Sequence, residues 1–276
     1  MLSKIDIEKY IGKGIYIVPF TRDNIKENSI NLKLSDKAWT LNPSKNGTRQ
    51  YNHASLACNK NIITLVPHTT TVVYTEEVIA LNSKFGGTFH AKVGVVAKGI
   101  VFSSTMIGPL YCGHLMVLLQ NPTDNPISLN VGDTFISLAL YKLRTKLRHE
   151  TVNSNSGGHV EKLADLGIRP GNGIMKWLDE DWKKDIVKIK EKFAQESEYQ
   201  EIKRKQNQKK LIIAIAIAIV MALAIGFLVY IIMCKFYSRQ NIIAKLVSFT
   251  SSIVAFVSTI LFEKIFDQIF SRLFNK

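Results

Sequence analysis

Acid is what this sequence is short of. Its 276 residues carry 22 Asp and Glu against 36 Lys and Arg, a formal charge of +14, with a pI near 9.6. From Val78 through Thr123 there is no Asp and no Glu at all, so that stretch offers no carboxylate as a general base. Cysteine is scarce as well. Cys58, Cys112 and Cys234 have neither metal-site nor disulfide-frame spacing, which fits a reducing compartment. The opening MLSKIDIEKY lacks an apolar core and a small-residue cleavage site, so it does not read as a signal peptide. Aromatic residues interleaved with a basic stripe are also missing. The positive charge therefore does not point to nucleic acid as a partner.

Charge itself is absent from Leu211 to Cys234, LIIAIAIAIVMALAIGFLVYIIMC. A helix needs roughly 20 apolar residues to cross about 30 Å of hydrocarbon, and this run meets that length as transmembrane helix 1 over 211–234. Lys203, Arg204, Lys205, Lys209 and Lys210 precede it, a cluster that suits anionic lipid. They outweigh Lys235 and Arg239 beyond it, so the positive-inside rule places the N-terminal region in the cytoplasm, with the bilayer as a partner. Residues 242–262 are apolar apart from Lys245 and several hydroxyls. They read as a second span or as an interfacial segment. Over 263–276, Phe266, Ile269, Phe270 and Leu273 recur at helical spacing and predict an amphipathic C-terminal helix.

Between Ile15 and Leu143 short β-rich runs such as NIITLV, TTVVYT and HLMVLLQN alternate with turn signals at Asn42-Pro43, Gly86-Gly87 and Asn121-Pro122. That pattern predicts a mainly β domain over 1–150, a sandwich or barrel. Residues 151–173, with NSNSGGH and RPGNG, read as an arm or linker. Residues 174–210 read as a charged helix whose seam of Trp182, Ile186, Ile189 and Phe193 has two readings. It is either a stalk of roughly 50 Å or a helix docked on its own domain.

The order of motifs in the β region resembles the dCTP deaminase and dUTPase superfamily. The opening MLSKIDIEKYIGKGIYIVPF with ENSINLKL, the pair ITLVPHTTTVVYTEEVIAL, GTFHAKVGV, MIGPLYCGHLMVLLQN and the closing NPISLNVGDTFISLALYKL run collinear with that family over about residues 1–143. The resemblance implies a dUTPase-like distorted β-barrel or jelly roll, a homotrimer, and sites for a deoxynucleoside triphosphate between subunits. Magnesium would enter only through a bound triphosphate. Carried across residue by residue, the catalytic Ser of the family becomes Thr88 and its catalytic Arg becomes Lys92. The Asp of the Ile-Asp motif becomes Gly108, the aromatic partner of the base is Tyr111, and Gly113 is kept. The carboxylate that acts as general acid and base falls at Leu118.

Without that carboxylate the resemblance implies binding rather than deamination or triphosphate hydrolysis, and the chain reads as a catalytically degenerate nucleotide-binding protein. His90 and His114 are substitute bases in principle, as are Asp124 and Asp133 from turns. Lys84, Thr88, His90, Lys92, Tyr111 and Gly113 are the expected nucleotide-binding residues. Lys98 joins the basic side chains of a positive pocket, and Tyr111 is either a stacking face or core filling. By analogy, a nucleotide sensor joined to membrane helices suggests a defence effector. The competing readings are a tethered active deaminase or dUTP hydrolase, and a trimeric membrane scaffold without ligand.

Overall fold

The computed structural model describes residues 1–41, 58–59, 61–145, 159–166 and 168–237. The chain opens with helix α1 (Lys4–Tyr10), whose start is fixed by a capping box. Ser3 Oγ accepts from the Asp6 N–H at 3.3 Å, and an Asp6 carboxylate oxygen accepts from the Ser3 N–H at 3.2 Å. Among the described residues eleven strands follow: β1 (Ile15–Val18), β2 (Ile30–Leu41), β3 (Cys58–Asn59), β4 (Ile62–Leu65), β5 (Thr69–Leu81), β6 (Phe85–Ala91), β7 (Val101–Phe102), β8 (Thr105–Ile107), β9 (Cys112–Asn121), β10 (Ile127–Asn130) and β11 (Thr134–Lys142). The short helix α2 (Val93–Val96) lies between β6 and β7. The large sheet runs β7-β9-β5-β2-β11-β6-β8, with β1 added along the end of β5, and a small sheet runs β10-β4-β3.

This is the expected β class, a curled half-barrel. Its curl has a local cause. Register shifts between Leu34 and Ala38 on β2, and between Tyr74 and Val78 on β5, mark bulges that bend both strands at one level. Beyond the bulge, β5 exchanges β2 for β1, pairing Val78 with Val18 and Leu81 with Ile15. β5 is buried at nearly every position because both of its faces are covered. Val73 and Ile79 enter the main core with Ile15, Leu32, Leu115, Phe135 and Leu138. Val72 and Tyr74 enter a second cluster with Trp39, Leu163, Ile168 and Leu178.

That second cluster corrects the expected arm. Within 159–178 the chain forms α3 (Val160–Asp165) and α4 (Asn172–Leu178), not a loose linker, because Leu163, Ile168 and Leu178 bury against the sheet. Residues 151–158 lie outside the described residues. The long stalk is corrected too. Residues 174–210 do not form one rod: α4 stops at Asp179, a 3-10 turn covers Asp181–Lys183, and Asp185 caps α5 (Ile186–Gln195) by accepting from the Val187 N–H at 2.7 Å. The docked reading of the seam holds, since Ile189 and Phe193 are buried in the main core and Trp182 and Ile186 pack against it.

Glu196 is extended, and α6 (Ser197–Tyr237) begins after it. Its first turns are fixed to the β domain. Glu198 accepts from the Arg22 N–H, Ile202 is buried, and the Tyr199 ring lies 4.4 Å from Phe193. Tyr199 covers Gly12, whose φ of +73° is a left-handed conformation, and a Cβ there would meet the tyrosine oxygen at 2.2 Å. Gly12→Ala is therefore expected to lose about 1–3 kcal/mol, measured by urea unfolding of the full chain in detergent. An unchanged midpoint would show that Tyr199 is not seated there.

Contacts divide the chain into two compact units, Met1–Lys203 and Arg204–Lys276. In the second unit α6 continues through a window of mean hydropathy 3.1 with none of it buried, long and apolar enough to cross a membrane. Ile212 and Phe227 are 65% and 64% exposed, unlike any soluble core helix. The expected second span over 242–262 and the amphipathic helix over 263–276 lie outside the described residues.

Candidate functional site

Alternation along β6 puts Thr88 and His90 on one face of the sheet, while Phe89 points into the core; Lys92 follows the strand as the N-cap of α2. Thr88 sits between Ala139 of β11 and Met106 of β8, and His90 lies opposite Ser137. The exposed His90 ring is held between two hydroxyls. Thr88 Oγ1 is 3.0 Å from Nε2, and Ser104 Oγ is 3.4 Å from Nδ1. Ser104 gives its own proton to the Phe89 carbonyl at 2.7 Å. With that proton committed, Ser104 Oγ is an acceptor toward Nδ1–H, and in a neutral ring of that tautomer Nε2 accepts from the Thr88 hydroxyl. The arrangement can withdraw a proton toward imidazole from a hydroxyl or from a water beside it.

Two residues on, Lys92 Nζ donates to Thr134 Oγ1 at 2.6 Å. Lys92 and Lys98 line a hollow of about 190 Å³ with Asn130, Asp133 and Thr134. Lys98 Nζ donates to the Ser128 carbonyl at 3.1 Å, and the Asp133 carboxylate accepts from the Asn130 amide at 2.9 Å. The expectation of a pocket without acidic neighbours is thus corrected, because the turn before β11 brings Asp133 to the lysines. Asp133 bonds a side chain there, while Asp124 pairs with His68 at 2.8 Å on an exposed turn.

The other expected residues are not brought to this face. Lys84 precedes β6 and Lys92 follows it, so eight residues of extended chain hold them about 26 Å apart. Tyr111 is core filling: it is 3% exposed, and its hydroxyl donates to the His114 carbonyl. Burial pushes its phenol well above the ordinary range, and no ring face is left open for a base. Gly113 pairs with Ile79 at a φ of +136°, and Gly108 lies in the turn between β8 and β9. Leu118 packs on the second apolar cluster beside Trp39 and Tyr74. Among the described residues no three His, Cys, Asp or Glu side chains converge as a metal site.

A second cleft, of about 450 Å³, opens between the sheet and the turn after α4, lined by Leu34, Asp36, Glu76, His114, Trp182 and Lys183 among others. The His114 ring stacks on Trp177 with centroids 3.9 Å apart and planes inclined 21°. Its Nδ1–H faces the Thr75 carbonyl at 3.0 Å, and among the described residues Nε2 has no hydrogen-bond partner. Burial, followed by the nearby Lys183 charge, pushes its pKa down to about 3, so the ring is neutral and is no base near neutrality. Lys183 donates to the Trp177 carbonyl, lies 4.3 Å from that ring's centroid, and pairs with Glu180 at 3.8 Å. Burial lowers its pKa to about 8.

The carboxylate that escaped sequence reasoning is Glu77, one residue outside the acid-free stretch. It sits at the β5 bulge, 3% exposed, and its two oxygens accept from the Lys33 N–H at 2.9 and 3.2 Å. Burial raises its pKa to about 7, with the Glu76 charge adding to the shift. The signal was an acidic pair inside a strand that carries no other charge. Among the described residues no hydrogen bond joins Glu77 to Thr88, His90 or Lys92.

The profile of the dCTP deaminase-like family matches residues 1–143. Similar curated proteins include the dCTP deaminase of Pyrococcus furiosus, 21% identical over 143 residues that cover 50% of this chain and 83% of that protein. The dCTP deaminase of Hyperthermus butylicus is 24% identical over 152 residues, covering 51% and 85%. Among solved structures, the 2'-deoxycytidine 5'-triphosphate deaminase from Agrobacterium tumefaciens is 17% identical with a TM-score of 0.41, covering 59% of this chain and 50% of that one. The native EIAV dUTPase is 15% identical with a TM-score of 0.34, covering 51% and 98%. The match takes in every strand and stops at the end of β11, and on it the chain belongs to the dCTP deaminase-like family.

Proposed function

We propose that this chain is a membrane-anchored, nucleotide-binding member of its family that has given up deamination. One observation carries the reading: Leu118, which the resemblance sets at the place of the family's acid–base carboxylate, packs against an apolar cluster. Thr88, His90 and Lys92 all sit within a stretch of sequence that holds no Asp or Glu. Deamination needs a group that takes a proton from water and returns one to the ring and the leaving amine. Glu77 does not meet that need, because its oxygens are turned to the Lys33 N–H.

The ligand class is a deoxynucleoside triphosphate, with Lys92 and Lys98 as phosphate partners and any magnesium arriving on the triphosphate. The assembly is a homotrimer with its β domain, residues 1–143, in the cytoplasm. α6 is the bilayer anchor. A ligand that prefers one state of the β domain would bias the membrane segment, which is the logic of a nucleotide-sensing effector, in defence by analogy. The Thr88–His90–Ser104 hydrogen bonds favour a second reading, hydrolysis with His90 as base.

The test is incubation of the full-length protein in detergent with dCTP and dUTP. Neither uracil-containing product nor pyrophosphate is expected. Unfolding midpoints should rise with nucleotide, by an amount equivalent to about 2.7 kcal/mol at a hundredfold excess over Kd, and Lys92→Ala should abolish most of the rise. Turnover lost in His90→Ala would establish the hydrolytic reading instead. Without turnover or stabilisation by any nucleotide, the binding proposal falls.

A further inference from the structure

Just before the apolar window of α6 the sequence reads KRKQNQKK over 203–210, with no acid in it. Lys203, Arg204, Lys205, Lys209 and Lys210 are all exposed. At about 100° per residue their directions around the axis are about 0, 100, 200, 240 and 340°. No gap exceeds about 100°, so the five cations form a collar rather than a stripe. A stripe suits a groove in a protein or nucleic acid, which meets a helix from one side. A collar leaves charges on every face, and a layer surrounding the helix is what meets them all at once.

Axial dimensions give the same answer. Residues 203–210 rise about 10 Å along the axis, comparable to the headgroup region on one side of a bilayer, about 5–8 Å. The apolar, unburied residues 211–229 rise about 28 Å, against a hydrocarbon core of about 30 Å. Gln206, Asn207 and Gln208 occupy the same level as the cations and present amide donors between them.

We propose that this collar selects anionic phospholipids, gathering their phosphate headgroups around the root of the anchor. The inference rests on the reading of 211–229 as a bilayer span. Long basic stems flatten along the apolar surface while their heads stay at the interface. Each cation near an anionic surface contributes to the attraction, and salt screens it.

The test reconstitutes the full-length protein in phosphatidylcholine vesicles carrying spin-labelled phosphatidylglycerol or spin-labelled phosphatidylcholine, and compares the immobilised lipid. A preference for phosphatidylglycerol of about fivefold or more is expected at low salt. It should fall toward unity at high salt and in a variant with all five cations changed to Gln. Inorganic phosphate at matched ionic strength should displace no more lipid than chloride does. Equal immobilisation of the two lipids by a chain that resists alkaline extraction overturns the collar and leaves the span standing. Displacement by inorganic phosphate alone would mark a discrete anion site and overturn it too. Extraction of the wild-type chain by alkali removes the span, and the collar with it.

Discussion

Glu77→Gln is expected to stabilise the protein by about 3 kcal/mol at pH 8 and by almost nothing at pH 4. Burial raises this carboxyl from 4.5 to about 7, so between those values the folded state binds a proton that the unfolded state has released. Stability tied to Glu77 is thus complete below the unfolded pKa and falls by about 1.4 kcal/mol per pH unit until the folded pKa is passed. Glutamine keeps a carbonyl oxygen for the Lys33 N–H and removes the buried charge. His114 works in the opposite sense. Its pKa is depressed from 6.5 to about 3, so its contribution is complete above 6.5 and is lost as pH falls below that. Between pH 4.5 and 6.5 the two slopes nearly cancel in the native chain. In the Glu77→Gln variant the His114 slope should stand alone, with stability rising to about pH 6.5 and then levelling. Urea unfolding across pH, followed by Trp fluorescence, reads this directly. Parallel curves for the two proteins would mean that the carboxyl is not in the low-dielectric setting described.

How far this structure was legible in the sequence depended on where contacts lie along the chain. Strand runs and their turns are local, so the β class and the order of the motifs were readable. The barren stretch from Val78 to Thr123 was readable as well, and the structure places Thr88 and His90 on one face, as strand alternation requires. What failed was long-range. Lys84 looked adjacent to Lys92 in sequence, but an extended strand separates what a turn would have joined. Asp133 comes from 41 residues beyond Lys92 and still reaches the same hollow. Tyr111 had two open readings, and only packing chooses between them. Residues 151–173 looked like a linker because Gly, Ser and Pro punctuate them. Yet Leu163 and Ile168 find a partner face on strands more than forty residues away.

Phe193→Ala is expected to cost about 3–5 kcal/mol, the range for emptying a well-packed aromatic site. The ring is 1% exposed and meets Tyr16, Phe20 and Tyr199 with centroids 5.8, 5.4 and 4.4 Å away. Those three partners come from β1, the turn after it, and the first turn of α6, so one side chain joins the β domain to the start of α6. Loss of the ring should also loosen α5, making Lys188, Lys190 and Lys192 accessible to trypsin under native conditions. Val187, 58% exposed on the same helix, is the control, and Val187→Ala should change stability by less than about 0.5 kcal/mol. The contrast separates two mechanical designs. In a free stalk both substitutions would be mild and α5 would be cut equally fast in every variant. A docked helix makes Phe193 costly and Val187 silent, and it allows strain in the β domain to reach α6 through packed rings.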